Sequence, residues 1–456
     1  MSKRIITLFL LAIFILGTGF GCKTVDKKTK EASQPITLTY WRVFDGPDAF
    51  QEIINAYRVI HPNINITYRK LRYDEYETEL LNALAEDRGP DILSIHNTWL
   101  VKYQNKLAPM PANITMAYQV EQGSIKKEIV SQLQTVKSPT LKEIKDTFID
   151  AVYNDVVLSD NQVYGLPLSV DTLALFYNRD LLNNAGIVQA PLYWNKEFQQ
   201  NVKKLTKQDT VLGITQSGIA LGGNNNIERF SDILSVLMMQ NGATMIEDNR
   251  VLFNVIPKIN NADNYNPGLE ALRFYVDFSN PGKEVYSWNE TLPNSLELFA
   301  SGKLAMMFGY SYNIATIKAQ SPKLNFSVSK LPQIEGSPAE VNFANYWVES
   351  VSKKSKYQNE AWDFILFETK KDQAKKYLDA ANKPTALRAL VTEQLSDDEI
   401  GVFASQLLTA KSWYKGKDAN AAETAIGEMI NSAVSNLDKI LEAINTGAAK
   451  VQQTIN

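Results

Sequence analysis

The stretch Tyr164-Gly165-Leu166-Pro167-Leu168-Ser169-Val170-Asp171-Thr172-Leu173-Ala174-Leu175-Phe176-Tyr177-Asn178 decides how the chain is divided. Gly165 and Pro167 signal a turn, and a short polar segment with one carboxylate, Asp171, follows. The run Leu173 to Tyr177 then has the unbroken apolar character of a buried strand. On both sides the sequence alternates strand-like with helix-like patterns, the grammar of α/β architecture. The chain is expected to cross here between two lobes, with Asp171 at the crossing.

Upstream, Ile36, Leu38 and Tyr40 alternate with polar positions as a half-buried strand does, up to Trp41-Arg42. Phe50, Ile53, Ile54, Tyr57 and Ile60 recur at helical spacing until His61-Pro62 stops them. A strand at Ile64 to Tyr68, a helix through Tyr76, Leu80, Leu81 and Leu84, and a short strand Ile92 to Ile95 complete a parallel-sheet pattern. Residues 113 to 155 read as largely helical. Downstream, Gly213 to Asn226 reads as loop, and no Gly-Lys-Ser/Thr follows it to make a phosphate loop. A helix from Phe230 ends at Asn241-Gly242, another covers about 268 to 278, and residues 287 to 309 read as loop, helix and apolar strand. From Ile426 to Ile444 the pattern predicts one long amphipathic helix.

Length and composition set bounds. A chain of 456 residues is too long for one hydrophobic core, so two domains are expected. With 47 basic and 50 acidic residues, a net charge of −3, it lacks the basic surplus of a nucleic-acid binder. Lys3 and Arg4, the uncharged apolar run Ile5 to Leu16 and the small residues before Cys22 form a targeting segment, short for a membrane span. Cys22 is the only cysteine, so an internal disulfide is excluded. The segment resembles a bacterial lipoprotein signal, with Gly19 where that signal usually carries Leu. The resemblance implies that residues 1–21 are removed and Cys22 is lipidated, for instance with palmitate. An uncleaved anchor and an ordinary secretory signal are the other readings. Residues 22–35, charged and without periodicity, read as a flexible tether.

Gly89-Pro90-Asp91-Ile92 before Trp99, Tyr164-Gly165-Leu166-Pro167, Tyr177-Asn178, the Trp288-Asn289 loop, Phe299 with Gly302-Lys303 and Ala305-Met306, and Glu360-Ala361-Trp362 occur in a telling order. Together, over roughly residues 36 to 415, they resemble the extracellular solute-binding proteins of ABC importers, in particular the sugar-binding, maltose-binding-protein-like type (family 1). The resemblance implies an α/β, two-lobed periplasmic-binding-protein-like fold (type II) with a ligand cleft between lobes and a hinge of crossing strands. The N-terminal lobe is then placed at 36–170 and 346–384, and the C-terminal lobe at 171–345 and 385–456. It also implies a sugar or oligosaccharide ligand, ABC permease subunits as partners, no cofactor or metal, a monomer, and a lipid-anchored place at the cell surface or in the periplasm.

By the same resemblance Asp171 presents its carboxylate to the ligand, and Trp41 and Asp45 lie in the loop after the first strand. Asn97 and Trp99 follow the third strand, and Tyr310 and Tyr312 follow a strand ending in Gly309. Trp288, Trp347 and Trp413 complete the expected ligand-binding set. A sugar offers rim hydroxyls and a weakly apolar C–H face, so planar polar groups and aromatic platforms are the matching chemistry. Each aromatic also has a packing reading, since Trp and Tyr are commonly half-buried core residues. Trp194 and Trp362, on helical patterns, are expected to pack. A secreted carbohydrate hydrolase is the enzyme alternative, and would need paired carboxylates that no pattern here singles out. A scaffold or adhesin lipoprotein is a third. His61 and His96 are the only histidines, too few for a His/Cys zinc site or to favour a Ser-His triad.

Overall fold

The computed structural model describes residues 27–123, 127–257 and 265–455. Their apolar side chains form two separate cores. The first core surrounds a five-stranded sheet. Strand Ile36–Val43 lies parallel to and between Ile64–Leu71 and Ile92–His96. Trp347–Ser352, from far along the chain, adds antiparallel to Ile92–His96, and Leu107–Ala108 edges the sheet. Ile92, Leu93, Ser94 and Ile95 are all buried, as a sheet covered on both faces requires. Helix Asp48–Ile60 covers it because Phe50, Ile53 and Tyr57 share one face. The second core centres on Ala174–Asn178, flanked antiparallel by Met306–Gly309 and Phe326–Ser329.

The chain passes between the cores three times. Val170 belongs to the first core and Leu173 to the second; Phe343 belongs to the second and Ala344 to the first. The third passage lies between Ala410 and Trp413: Ala386, Leu387, Leu390, Val391, Leu407 and Ala410 pack in the first core, although Phe403 reaches into the second, and Trp413 packs in the second. The boundary expected at 384 and 385 therefore moves downstream. Pro384 ends a helix but not the lobe, since helix Arg388–Gln394 still turns Leu390 and Val391 inward.

Three other expectations change. Strands Asn113–Gln122 and Glu128–Lys137 pair antiparallel, and of the described residues between 113 and 156 only 141–147 and 150–156 are helical. Ile114 and Met116 point inward two residues apart, the strand period, and the remaining positions of the pair are mostly half-buried or exposed. Lys27–Ala32, expected as tether, is a short helix with Thr29 buried; residues 1–26, including Cys22, lie outside the described residues. The C-terminal helix is two helices, Ala419–Ser435 and Ile440–Ile455, because Asn436 takes an extended backbone and caps the next turn.

Gly165 in the opening stretch is a packing requirement. Leu166 exchanges backbone hydrogen bonds with Glu349 at 3.0 and 3.1 Å, and a Cβ on Gly165 would lie 2.6 Å from Glu349 O and 2.5 Å from Ser350 Oγ. The backbone acceptor cannot swing aside. Gly165→Ala is expected to destabilise the protein by about 1–3 kcal/mol, the usual cost of overpacking. Urea unfolding checks this as a lower midpoint at unchanged slope; an unchanged midpoint would refute the packing argument.

Candidate functional site

Between the lobes lies a cavity of about 90 Å³ walled by both of them and by the crossing segments. The first lobe contributes Tyr73 and the turn His96 to Trp99, which directly follows the buried strand Ile92–His96. Trp99 is braced by Trp347 at 5.4 Å edge-on and by Tyr103 stacked at 6.1 Å. Trp347 also meets Tyr73, Tyr76 and Phe44 edge-on. At the rim Phe44 and Tyr73 stack on one another at 5.7 Å, both half exposed. Phe44 holds a left-handed backbone, φ 67°, a conformation that costs a bulky residue energy and that its surroundings must enforce.

His96 has its protonation set by its neighbours. Thr98 N–H donates to Nδ1, which makes Nδ1 an acceptor and puts the proton on Nε2, facing Asn345 Oδ1 at 3.3 Å. Burial, with Arg229 nearby, pushes its pKa down to about 4, so the ring is neutral at physiological pH.

The second lobe contributes Arg229, Asp232 and Glu423. Arg229 immediately precedes helix Phe230–Gln240 with φ 58°, again left-handed. That backbone turns the guanidinium onto Asp232, one helical turn on, as a two-pronged pair at 2.8 and 2.9 Å. Tyr310 O–H donates to the same carboxylate at 2.7 Å, and Tyr312 stacks on Tyr310. Burial raises the pKa of Glu423, and Arg229 offsets part of that rise.

The crossings carry two more carboxylates. Asp171 accepts from Ser311 N–H at 2.9 Å and Ser311 O–H at 2.6 Å through one oxygen, and from Thr172 N–H through the other. Burial still raises it to about 6. Asp155 is buried and accepts from Asn97 Nδ2, Tyr346 O–H and Ser412 O–H, which pins the turn before Trp99 to the segment that carries Trp413. Burial shifts Asp155 upward as well.

Of the residues expected from sequence, Asn97, Trp99 and Trp413 line the cavity. Trp347 and Tyr310 stand behind lining residues and brace them, and Tyr312 is half exposed beside Tyr310. Asp171 binds the hinge to the second lobe. Three residues lie elsewhere. Trp288 is completely buried in the second core, its indole N–H donating to Asn226. Trp41 sits within the sheet strand under the Arg69 guanidinium, 4.7 Å away. Asp45 is locked by Arg42, Lys383 and Tyr377. Arg229, Asp232, Glu423, Tyr73, Asn345 and Ser412 were not expected. The Arg229 and Asp232 spacing at a helix start was the one available signal.

A family model described as bacterial extracellular solute-binding protein matches residues 45–375. A galactooligosaccharide-binding protein of Bacillus subtilis is 20% identical over 459 residues, covering 100% of this chain and 96% of that one. Among solved structures, a cyclic α-maltosyl-1,6-maltose binding protein from Arthrobacter globiformis superposes with a TM-score of 0.70 at 18% identity, covering 92% and 99% of the two chains. A sugar-binding protein from Xanthomonas citri gives 0.68 at 19% identity, covering 92% and 97%.

His96 and Asp171 impose opposite pH dependences on stability. Asp171, raised in the fold, contributes stability that is present below its ordinary value and lost as pH rises through about 6. His96, lowered, contributes stability present above its ordinary value of 6.5 and lost as pH falls through about 4. Relative to the parent, Asp171→Asn should make stability climb more steeply between about pH 4 and 6.5, and His96→Gln should make it climb less. Urea midpoints across that window test both signs.

Proposed function

The chain belongs to the bacterial extracellular solute-binding proteins, and from that membership we propose that it captures a sugar or oligosaccharide by cleft closure and delivers it to an ABC permease. The observation that carries this reading is the composition of the interlobe cavity. Indole side chains Trp99 and Trp413 stand there among fixed polar groups from both lobes, the combination that stacks on C–H faces and binds hydroxyls. The cavity, about 90 Å³, is smaller than the roughly 300–1,000 Å³ pockets that small molecules occupy. A sugar therefore enters with the lobes parted, and closure over it follows from contacts to both walls. The permease reads the closed form. The protein acts as a monomer, held at the membrane by lipidated Cys22, and performs no catalysis.

Calorimetric titration with a panel of oligosaccharides is expected to find a ligand that binds without turnover. Trp99→Ala and Trp413→Ala should each weaken it at least about fivefold, the loss of one aromatic contact. Cleaved products would instead support a hydrolase. Failure of every carbohydrate to bind, or full affinity in both variants, would overturn the assignment of this cavity. Intact mass of membrane-extracted protein should show a mature chain beginning at acylated Cys22, and an unmodified chain beginning elsewhere would refute the anchor.

A further inference from the structure

The cavity's charge inventory is one-sided, one cation against two carboxylates among the described residues. Arg229 is the only cation lining it among the described residues, and its charge is already paired with Asp232 through two of its five N–H groups. Asp232 is spent too, since Tyr310 O–H occupies the same carboxylate. His96 directs its N–H at Asn345 and its lone pair at Thr98, and it carries no charge. Two groups keep unused acceptor capacity beside open donors such as Asn345 Nδ2 and the Trp99 and Trp413 indole N–H. Asn97 is 5% exposed, its amide N–H₂ donates to Asp155, and its Oδ1 is buried without a partner. The Glu423 carboxylate, beside Ser231, retains lone pairs. Buried acceptors without donors are costly, so a bound molecule that satisfies them must bring O–H or N–H groups.

A guanidinium free in such a cavity would be the natural two-pronged receptor for a ligand carboxylate or phosphate. Asp232 neutralises Arg229 and occupies one of its two-pronged edges. An entering anion would lose its water and meet two carboxylates, Asp232 and Glu423, against the single, already paired Arg229 cation.

We propose that the cavity selects sugars that present hydroxyl or amine donors and carry no negative charge, with Asp232, by masking Arg229, as the residue that excludes uronates and sugar phosphates. This rests on the carbohydrate reading of the site. The test compares three sets of oligosaccharides of matched length at low salt: neutral gluco-, galacto- and N-acetylchito-oligomers, glucosamine oligomers, and galacturonate oligomers. The wild type is expected to bind a member of the first two sets at least about tenfold more tightly than any uronate, the scale of one charge-assisted hydrogen bond. Asp232→Asn, which frees Arg229, and Glu423→Gln, which removes the second carboxylate from a half-exposed helix position, should each narrow that gap by about tenfold. Glu423→Gln keeps the test open if Asp232→Asn fails to fold. Uronates bound as tightly as neutral sugars by the wild type, or a gap unchanged in the folded variants, would overturn the charge selection and leave the carbohydrate reading intact. Failure of all three sets to bind would overturn the carbohydrate reading, and this inference with it.

Discussion

The three passages between lobes are hydrogen-bonded to one another, and the rest of the structure depends on that. Asn342–Asn345 pairs antiparallel with Asp171–Thr172 on one side and parallel with Ala410–Lys411 on the other. Three segments far apart in the chain thereby become one small sheet. The buried Gln406 side chain reinforces it by donating to Thr172 Oγ1 and to Leu173 O while accepting from Leu331 N–H. Each lobe keeps its own core, so motion between them is confined to the few backbone torsions flanking this sheet. Cavity residues hang directly from it: Asn345 on the middle strand, and Ser412 and Trp413 just past the third.

The first lobe presses a dense ionic cluster against the same crossings. Arg42, almost fully buried, lies 3.1 Å from Glu349 and 3.6 Å from Asp45, and Asp45 pairs with Lys383 at 2.8 Å. Glu349 is on the strand that resumes after the second passage, and Lys383 precedes Pro384, whose carbonyl accepts from Val170 N–H. Glu368 lies buried beside Glu349, and burial together with that neighbouring carboxylate raises it well above the ordinary range. Ion pairs at this depth gain little net stability over apolar packing, but they tolerate the loss of one partner badly. Their effect here is to hold the loop after the first strand in a single register relative to the hinge. Asp45, which the resemblance placed among ligand contacts, is tied into this cluster and lies outside the lining of the interlobe cavity.

The parts of the protein that could be read from sequence are those where a local pattern and a burial requirement coincide. The parallel strands and the Phe50, Ile53 and Tyr57 helix face were legible because one periodicity explains each. The strand pair Asn113–Gln122 and Glu128–Lys137 was not, since its outer positions mix Thr, Gln and Glu and blunt the strand alternation. Asn97, Trp99 and Trp413 could be placed at strand ends and loops by resemblance. Trp288 sits in an equally loop-like stretch, yet its indole N–H finds Asn226 and the second core closes over it. Only the fold distinguishes those two fates. Beyond its spacing to Asp232, Arg229 left little trace for another reason: it acts through a left-handed backbone, which sequence signals strongly for Gly or Asn and hardly at all for Arg.

The division of the site between the lobes sets how binding can drive closure. A ligand shifts the equilibrium only by the difference in its affinity for the open and closed forms. Contacts made within one wall, such as stacking against Trp99 alone, are the same in both forms and contribute affinity without closure. Closure must come from groups that a ligand on the first wall reaches only when Arg229, Asp232 and Glu423 come near. Asn97 links the two effects, because its amide is committed to Asp155, which also holds Ser412 on the crossing segment. A ligand hydroxyl donated to Asn97 Oδ1 therefore engages a group whose position is fixed by the hinge. The first wall is aromatic and braced, suited to hold a ligand in the open form, and the second is charged and internally paired, suited to discriminate among ligands as the lobes meet.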